Sequence, residues 1–171
     1  MATKTNKKNS DSKEFSARLM AVQAYYQTTQ NAKPIRTLVQ EYLDRGLEVD
    51  GEAGVEGVVQ PHGGLFKRIL LNLDERLAEV NEIVEAQISK KEPVPVEVNE
   101  EGEELPLPDK DIEPLLKAVL FCGASELLTN LETDAPLIIN DYLNVTHAFY
   151  EQHQVSFANG ILDSISKLLR E

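Results

Sequence analysis

Ile112-Glu113-Pro114-Leu115-Leu116-Lys117-Ala118-Val119-Leu120-Phe121-Cys122-Gly123-Ala124-Ser125-Glu126-Leu127-Leu128 is the stretch that decides the fold. Ala118 to Ala124 runs without a polar side chain. The window around it is about five helical turns long and follows an acidic cap at Asp109 or Asp111. A helix that is apolar on every side must be buried on every side. Asp111, Glu113, Lys117 and Glu126 bound the run too closely for a bilayer span, which takes about 20 apolar residues. The stretch is therefore expected to be the central helix of a helical domain.

Working outward, amphipathic helices are expected on both sides of it. From Ser12 or Ser16 to about Thr29, Phe15, Leu19, Val22 and Tyr26 make one stripe and Ala17, Ala21, Ala24 and Thr28 a second, small-residue stripe, with Arg18 off both on the polar side. Pro34 opens a second helix that carries Ile35, Leu38, Val39, Tyr42 and Leu43 and stops at Gly46. Residues 47–63, with five of the chain's glycines and prolines among acids, read as a long connection. Leu65 begins one long helix through Phe66, Leu70, Leu73, Leu77, Val80, Val84 and Ile88.

Residues 90–108 hold four prolines and six glutamates and read as an acidic linker or insertion. The alternation of Val94, Val96 and Val98 has strand character, and Pro93 and Pro95 oppose it. Beyond the central helix, Thr133 or Asp134 with Pro136 starts a helix through Ile138, Tyr142, Val145 and Phe149. A last one, from about His153 to Leu169, buries Ala158, Ile161, Ile165 and Leu168. The count is six helices, in an all-α fold. The chain divides into a flexible basic arm (1–13), an N-terminal helical subdomain (14–89), the insertion (90–108) and a C-terminal helical subdomain (109–171).

Charge and composition narrow the function. The 171 residues carry a net charge of −12, yet residues 1–13 hold Lys4, Lys7, Lys8 and Lys13 against a single aspartate. An acidic body repels phosphates, so nucleic-acid binding has to be local. Cys122, the one cysteine, falls inside the apolar run and reads as a small buried hydrophobe. No apolar segment follows the N-terminal lysines, so no secretory signal is read and a cytoplasmic protein is expected. HExxH, CxxC, GxxxxGK[ST] and GxSxG are all absent, and His62, His147 and His153 are not spaced as a ligand set. The expectation is a binding protein rather than an enzyme, with no cofactor and no metal.

Two segments add a resemblance. Ala135-Pro136-Leu137-Ile138-Ile139-Asn140-Asp141-Tyr142, followed by Phe157-Ala158-Asn159-Gly160-Ile161-Leu162-Asp163, resembles the NusB family, which is typified by P-x-x-x-I-N-E and F-V-N-G-V-L-D. Asp141 stands for the usual Glu and Ala158 for the usual Val. Leu115 to Leu128 and Arg18 to Gln27 are similar to the family's central and first helices.

The resemblance implies an all-α, NusB-like pair of small helical bundles sharing a core. It implies transcription antitermination and rRNA biogenesis through single-stranded boxA-type RNA, bound together with the ribosomal protein NusE in a complex on RNA polymerase, with no membrane role. By position, Lys13, Arg18, Ser156 and Phe157 are the expected RNA-binding residues and Tyr26 and Asp141 the expected partner-binding ones. Some relatives form homodimers, and the resemblance leaves a homodimer open here. The alternative is a divergent NusB-fold protein–protein interaction module without RNA binding.

Overall fold

The computed structural model describes residues 12–45, 62–91, 96–106 and 112–171. The arm up to Asp11, the Gly46 stop, most of the glycine-rich connection and the caps proposed at Asp109 and Asp111 lie outside them. The described residues form seven helices and one small hairpin.

Helix α1 (Lys13–Asn31) starts where the Ser12 hydroxyl accepts a hydrogen bond from the Phe15 amide at 2.9 Å, which satisfies one of the amides that a helix start leaves free. It ends at Ala32, whose φ of 52° is left-handed. Pro34 then caps α2 (Ile35–Asp44), which buries Ile35, Leu38 and Val39 as the spacing predicts.

The long helix expected from Leu65 is two helices, α3 (Gly63–Glu75) and α4 (Leu77–Lys91). His62 starts α3, its Nδ1 accepting from the Leu65 amide at 2.9 Å. At Arg76 the backbone leaves the helical region, with φ −113° and ψ 23°. The bend has a packing reason. α3 lies against α1, α2 and α5, whereas α4 packs on α5 and α7, so the chain must turn between the two sets of neighbours. Leu77, a member of the predicted stripe, is consequently on the surface.

The prolines did not prevent pairing in the insertion. β1 (Val96–Val98) runs antiparallel to β2 (Glu104–Pro106), with Val96 opposite Pro106 and Val98 opposite Glu104. Pro95 precedes the first strand and Pro106 ends the second, positions where a missing amide costs little. The turn is held by Asn99, whose Oδ1 accepts from the amides of Glu101 (3.0 Å) and Glu103 (2.8 Å), and by Gly102 at φ 81°.

Helix α5 (Pro114–Thr129) is the centre of the molecule. Glu113 occupies its cap position and Pro114 its first turn. Every residue from Ala118 to Leu127 is buried. α1, α3, α4, α6 (Ala135–Phe149) and α7 (Gln152–Arg170) all pack against it. Gly123 makes one of these approaches: a Cβ there would stand 2.8 Å from Leu162 Cδ2 on α7 and 3.5 Å from Tyr142 on α6.

α1 packs against both α3 and α5. Ala17, Ala21, Ala24 and Thr28 are buried with Val22 and Tyr25, while Phe15, Leu19 and Tyr26 are only partly covered. Tyr25 stacks on Phe121 with ring centroids 5.8 Å apart. On α6 and α7 the expected core residues are buried, except that Phe149 and Leu168 at the helix ends are exposed.

Candidate functional site

The polar centre of the protein is built by three helices. Arg18 on α1 points into the core, with only 4% of the residue exposed. Its Nε and one terminal nitrogen donate to the two oxygens of Glu126 on α5, at 2.7 and 2.8 Å. The other terminal nitrogen donates to Asp141 Oδ2 on α6 at 2.8 Å. Glu126 also accepts from the Tyr142 hydroxyl at 2.9 Å and from the Asn130 side-chain amide at 3.1 Å, so each of its oxygens receives two donors.

A buried charge persists only when paired and hydrogen-bonded. Burial works against the Arg18 charge, but the hydrogen bond and charge of Glu126, with Tyr142 and Asp141 beside them, outweigh it and hold the guanidinium above its ordinary value. Burial pushes the Asp141 carboxyl up against the pull of Arg18. Burial, reinforced by Glu126, carries the Tyr142 phenol well up too. Cys122 is fully buried beside this centre, and burial raises its thiol far from the range of a reactive thiolate.

Two sequence expectations change here. Arg18 is not on the polar side of α1, and its guanidinium is not presented to a nucleic acid. Asp141 is 6% exposed and faces Arg18 rather than a partner. The physical reason is the same for both: each is drawn into the core by an opposite charge, Arg18 by Glu126 and Asp141, and Asp141 by Arg18. The one sequence signal was Glu126 itself, an acid close behind the apolar run of a helix expected to be buried on every side, where a charge needs a cation.

The remaining residues are separated along the bundle. α1 and α5 are antiparallel, because Arg18 meets Glu126 and Tyr25 meets Phe121. α7 runs parallel to α5, because Leu162 meets Gly123 while Arg170 donates to the carbonyls of Leu127, Asn130 and Thr133. Tyr26, Ser156 and Phe157 therefore lie toward the start of α5, and Lys13 lies toward its end, roughly 20 Å of helix from Tyr26.

Ser156 is exposed, with Gln152 donating to its hydroxyl at 3.3 Å, and Phe157 is half-buried against the core. Tyr26, also half-buried, is close enough to Tyr150 to influence it; burial first, and then Glu113, raise the Tyr150 phenol. Lys13 is exposed, and its carbonyl accepts from the His62 amide at 2.9 Å, which ties the start of α1 to the start of α3.

At that same end a cleft of about 300 Å³ opens between α3 and the end of α5. Leu65, Arg68, Ile69 and Asn72 form one stripe of α3, and Glu126, Thr129 and Asn130 one stripe of α5, with Leu131 and Glu132 at the rim. Nothing in the sequence marked it, since it needs two helices to be placed side by side. Among the described residues no group of three or more His, Cys, Asp or Glu could hold a metal, and no helix is long and apolar enough to cross a membrane.

Residues 104–167 match the model of the NusB family. The transcription antitermination protein NusB of Novosphingobium aromaticivorans is 29% identical over 156 residues, which span 90% of this chain and 93% of that protein. The protein of the same name from Hyphomonas neptunium is 30% identical over 156 residues, 90% of this chain and 89% of its own. The solved structure of T. maritima NusB superposes with a TM-score of 0.62 at 16% identity, covering 90% of this chain and 89% of that one, a likeness of fold. With its all-helical fold and similarity along nearly its whole length, the chain belongs to the NusB family.

Proposed function

We propose that the protein acts in transcription antitermination and rRNA biogenesis in the cytoplasm, as a non-catalytic adaptor that binds single-stranded boxA-type RNA together with the ribosomal protein NusE on RNA polymerase. The observation that carries this reading is the similarity, over 90% of the chain, to proteins named for antitermination. Lys13 supplies a local cation for phosphate on an otherwise acidic protein, and Phe157 an aromatic face on which a base can stack. Ser156 lies next to it, and Tyr26 serves the partner protein. Arg18 and Asp141 act through the fold, by holding α1 against α5 and α6.

A second reading is a protein–protein module that has lost RNA. The burial of Arg18 favours it, because the one arginine matched to the family's basic first helix contributes no surface charge. The two readings separate in a titration of a boxA-type oligonucleotide, with and without NusE, at two salt concentrations. The adaptor reading expects salt-sensitive binding that tightens with NusE, and a salt slope that flattens by about 0.7 in Lys13→Ala for the phosphate contact removed. If NusE binds while RNA adds nothing at either salt, the module reading stands.

A further inference from the structure

We infer that the cleft between α3 and the end of α5 holds one nucleobase of a single-stranded RNA, a base that carries an exocyclic amino group. The inference rests on the RNA reading above and adds to it a site away from Phe157.

Three features of the cleft carry it. Its volume of about 300 Å³ is at the small-ligand end of binding pockets, and Leu65, Ile69 and Leu131 give it apolar walls against which a base can lie. Leu131 is 73% exposed, an apolar side chain left uncovered at the mouth of a concave site.

Hydrogen-bonding capacity, secondly, is left over. Asn72 uses one amide hydrogen on Thr129 (3.3 Å) and Asn130 one on Glu126 (3.1 Å). Each carboxamide can still donate one hydrogen, and among the described residues the side-chain carbonyl of each accepts none. This pairing of donor and acceptor on a flat group suits the edge of a base.

Charge is the third. The Glu126 carboxylate has all four acceptor sites occupied and is paired with Arg18, so the floor of the cleft offers a ligand no further acceptor there. Arg68 is exposed and takes part in none of the ion pairs among the described residues, leaving it free for a phosphate. Glu132 is exposed at the rim, where a carboxylate repels phosphate but accepts from an amino group, which adenine, cytosine and guanine have and uracil lacks. The cleft also shares its end of the bundle with Lys13, through the bond from the His62 amide to the Lys13 carbonyl.

The test uses the whole protein and a labelled boxA-type oligonucleotide in which each nucleotide is replaced in turn by uridine, read by fluorescence anisotropy. One amino-bearing position is expected to lose about tenfold in affinity on replacement, and that loss is expected to vanish in Glu132→Ala and Asn72→Ala. Arg68→Ala should weaken every sequence about threefold and flatten the salt slope by about 0.7. An unchanged thermal midpoint in the variants shows that the fold is intact.

If the uridine scan is the same in native and variant proteins while Lys13→Ala weakens binding, the RNA reading stands and the cleft is overturned. If the variants lose NusE and not RNA, the cleft seats a protein side chain and the inference is wrong. Should the native protein bind no RNA at either salt, with or without NusE, both readings fall together.

Discussion

Glu126 faces two different surroundings. Toward α1 and α6 it meets Arg18, Asp141 and Tyr142 in a region where every charged group has its partners within 2.9 Å and almost nothing reaches solvent. Toward α3 it meets Asn130 and then an open cleft whose polar groups keep donors and acceptors unused. The same carboxylate thus closes one side and floors the other. Residue type does not tell these sides apart: both hold an arginine, an acid and a hydrogen-bonding neutral group. Leftover hydrogen-bonding capacity does. Around Glu126 and Arg18 it is used up and the groups hold helices together; at Asn72 and Asn130 in the cleft it remains, and the groups are available to something outside the chain.

Substitutions should respect that division. Arg18→Ala leaves two buried carboxylates without their cation and is expected to lower the unfolding free energy by about 3–5 kcal/mol in a urea titration. A loss below about 1 kcal/mol would mean that the closed side is looser than its geometry.

The buried contact of Tyr25 with α5 should respond to alkali. Burial, with the charge of nearby Cys122, pushes the Tyr25 phenol up to about 12 from its ordinary 10. Because the folded value is the higher one, its contribution is complete below pH 10 and is lost as the pH climbs toward 12. Tyr25→Phe should flatten the stability-against-pH curve in that window by roughly 2–3 kcal/mol at its upper end and leave the curve's shape below pH 9 unchanged.

Gly123→Ala probes the close approach of α5 to α6 and α7. The added methyl meets the end of Leu162, a flexible side chain, so the expected cost is about 1–2 kcal/mol, seen as a lower midpoint with no change in the denaturant slope. On the open side, Arg68→Ala should alter stability by less than about 0.5 kcal/mol, since its guanidinium is at the surface. A larger loss would place Arg68 among the groups that hold helices together.

Much of this architecture was legible in the sequence, for identifiable reasons. Ala118 to Ala124 admits only a buried helix, and Pro34 and Pro136 mark the starts of theirs, whereas the central helix begins at Pro114 behind Glu113, later than a cap at Asp109 or Asp111 would put it. The break at Arg76 was hidden because the apolar periodicity runs through it from Leu73 to Val80; only the change of packing neighbours demands a bend. The hairpin was masked by its prolines, which turned out to flank the first strand and end the second. Pairing of Arg18 with Glu126 and Asp141 spans 108 and 123 positions, and no local pattern reports a contact at that distance. For the same reason the cleft was invisible: its two stripes belong to helices that only the fold brings side by side.

The span between Arg18 and its partners also orders events during synthesis. At about 5–20 residues per second, a ribosome needs roughly 5–20 s to add the 108 positions from Arg18 to Glu126, and longer to reach Asp141. Through that interval α1 can reach α2 and α3 but not the anions that its guanidinium requires. The first of the described helices is therefore synthesised long before the carboxylates that fix it in place.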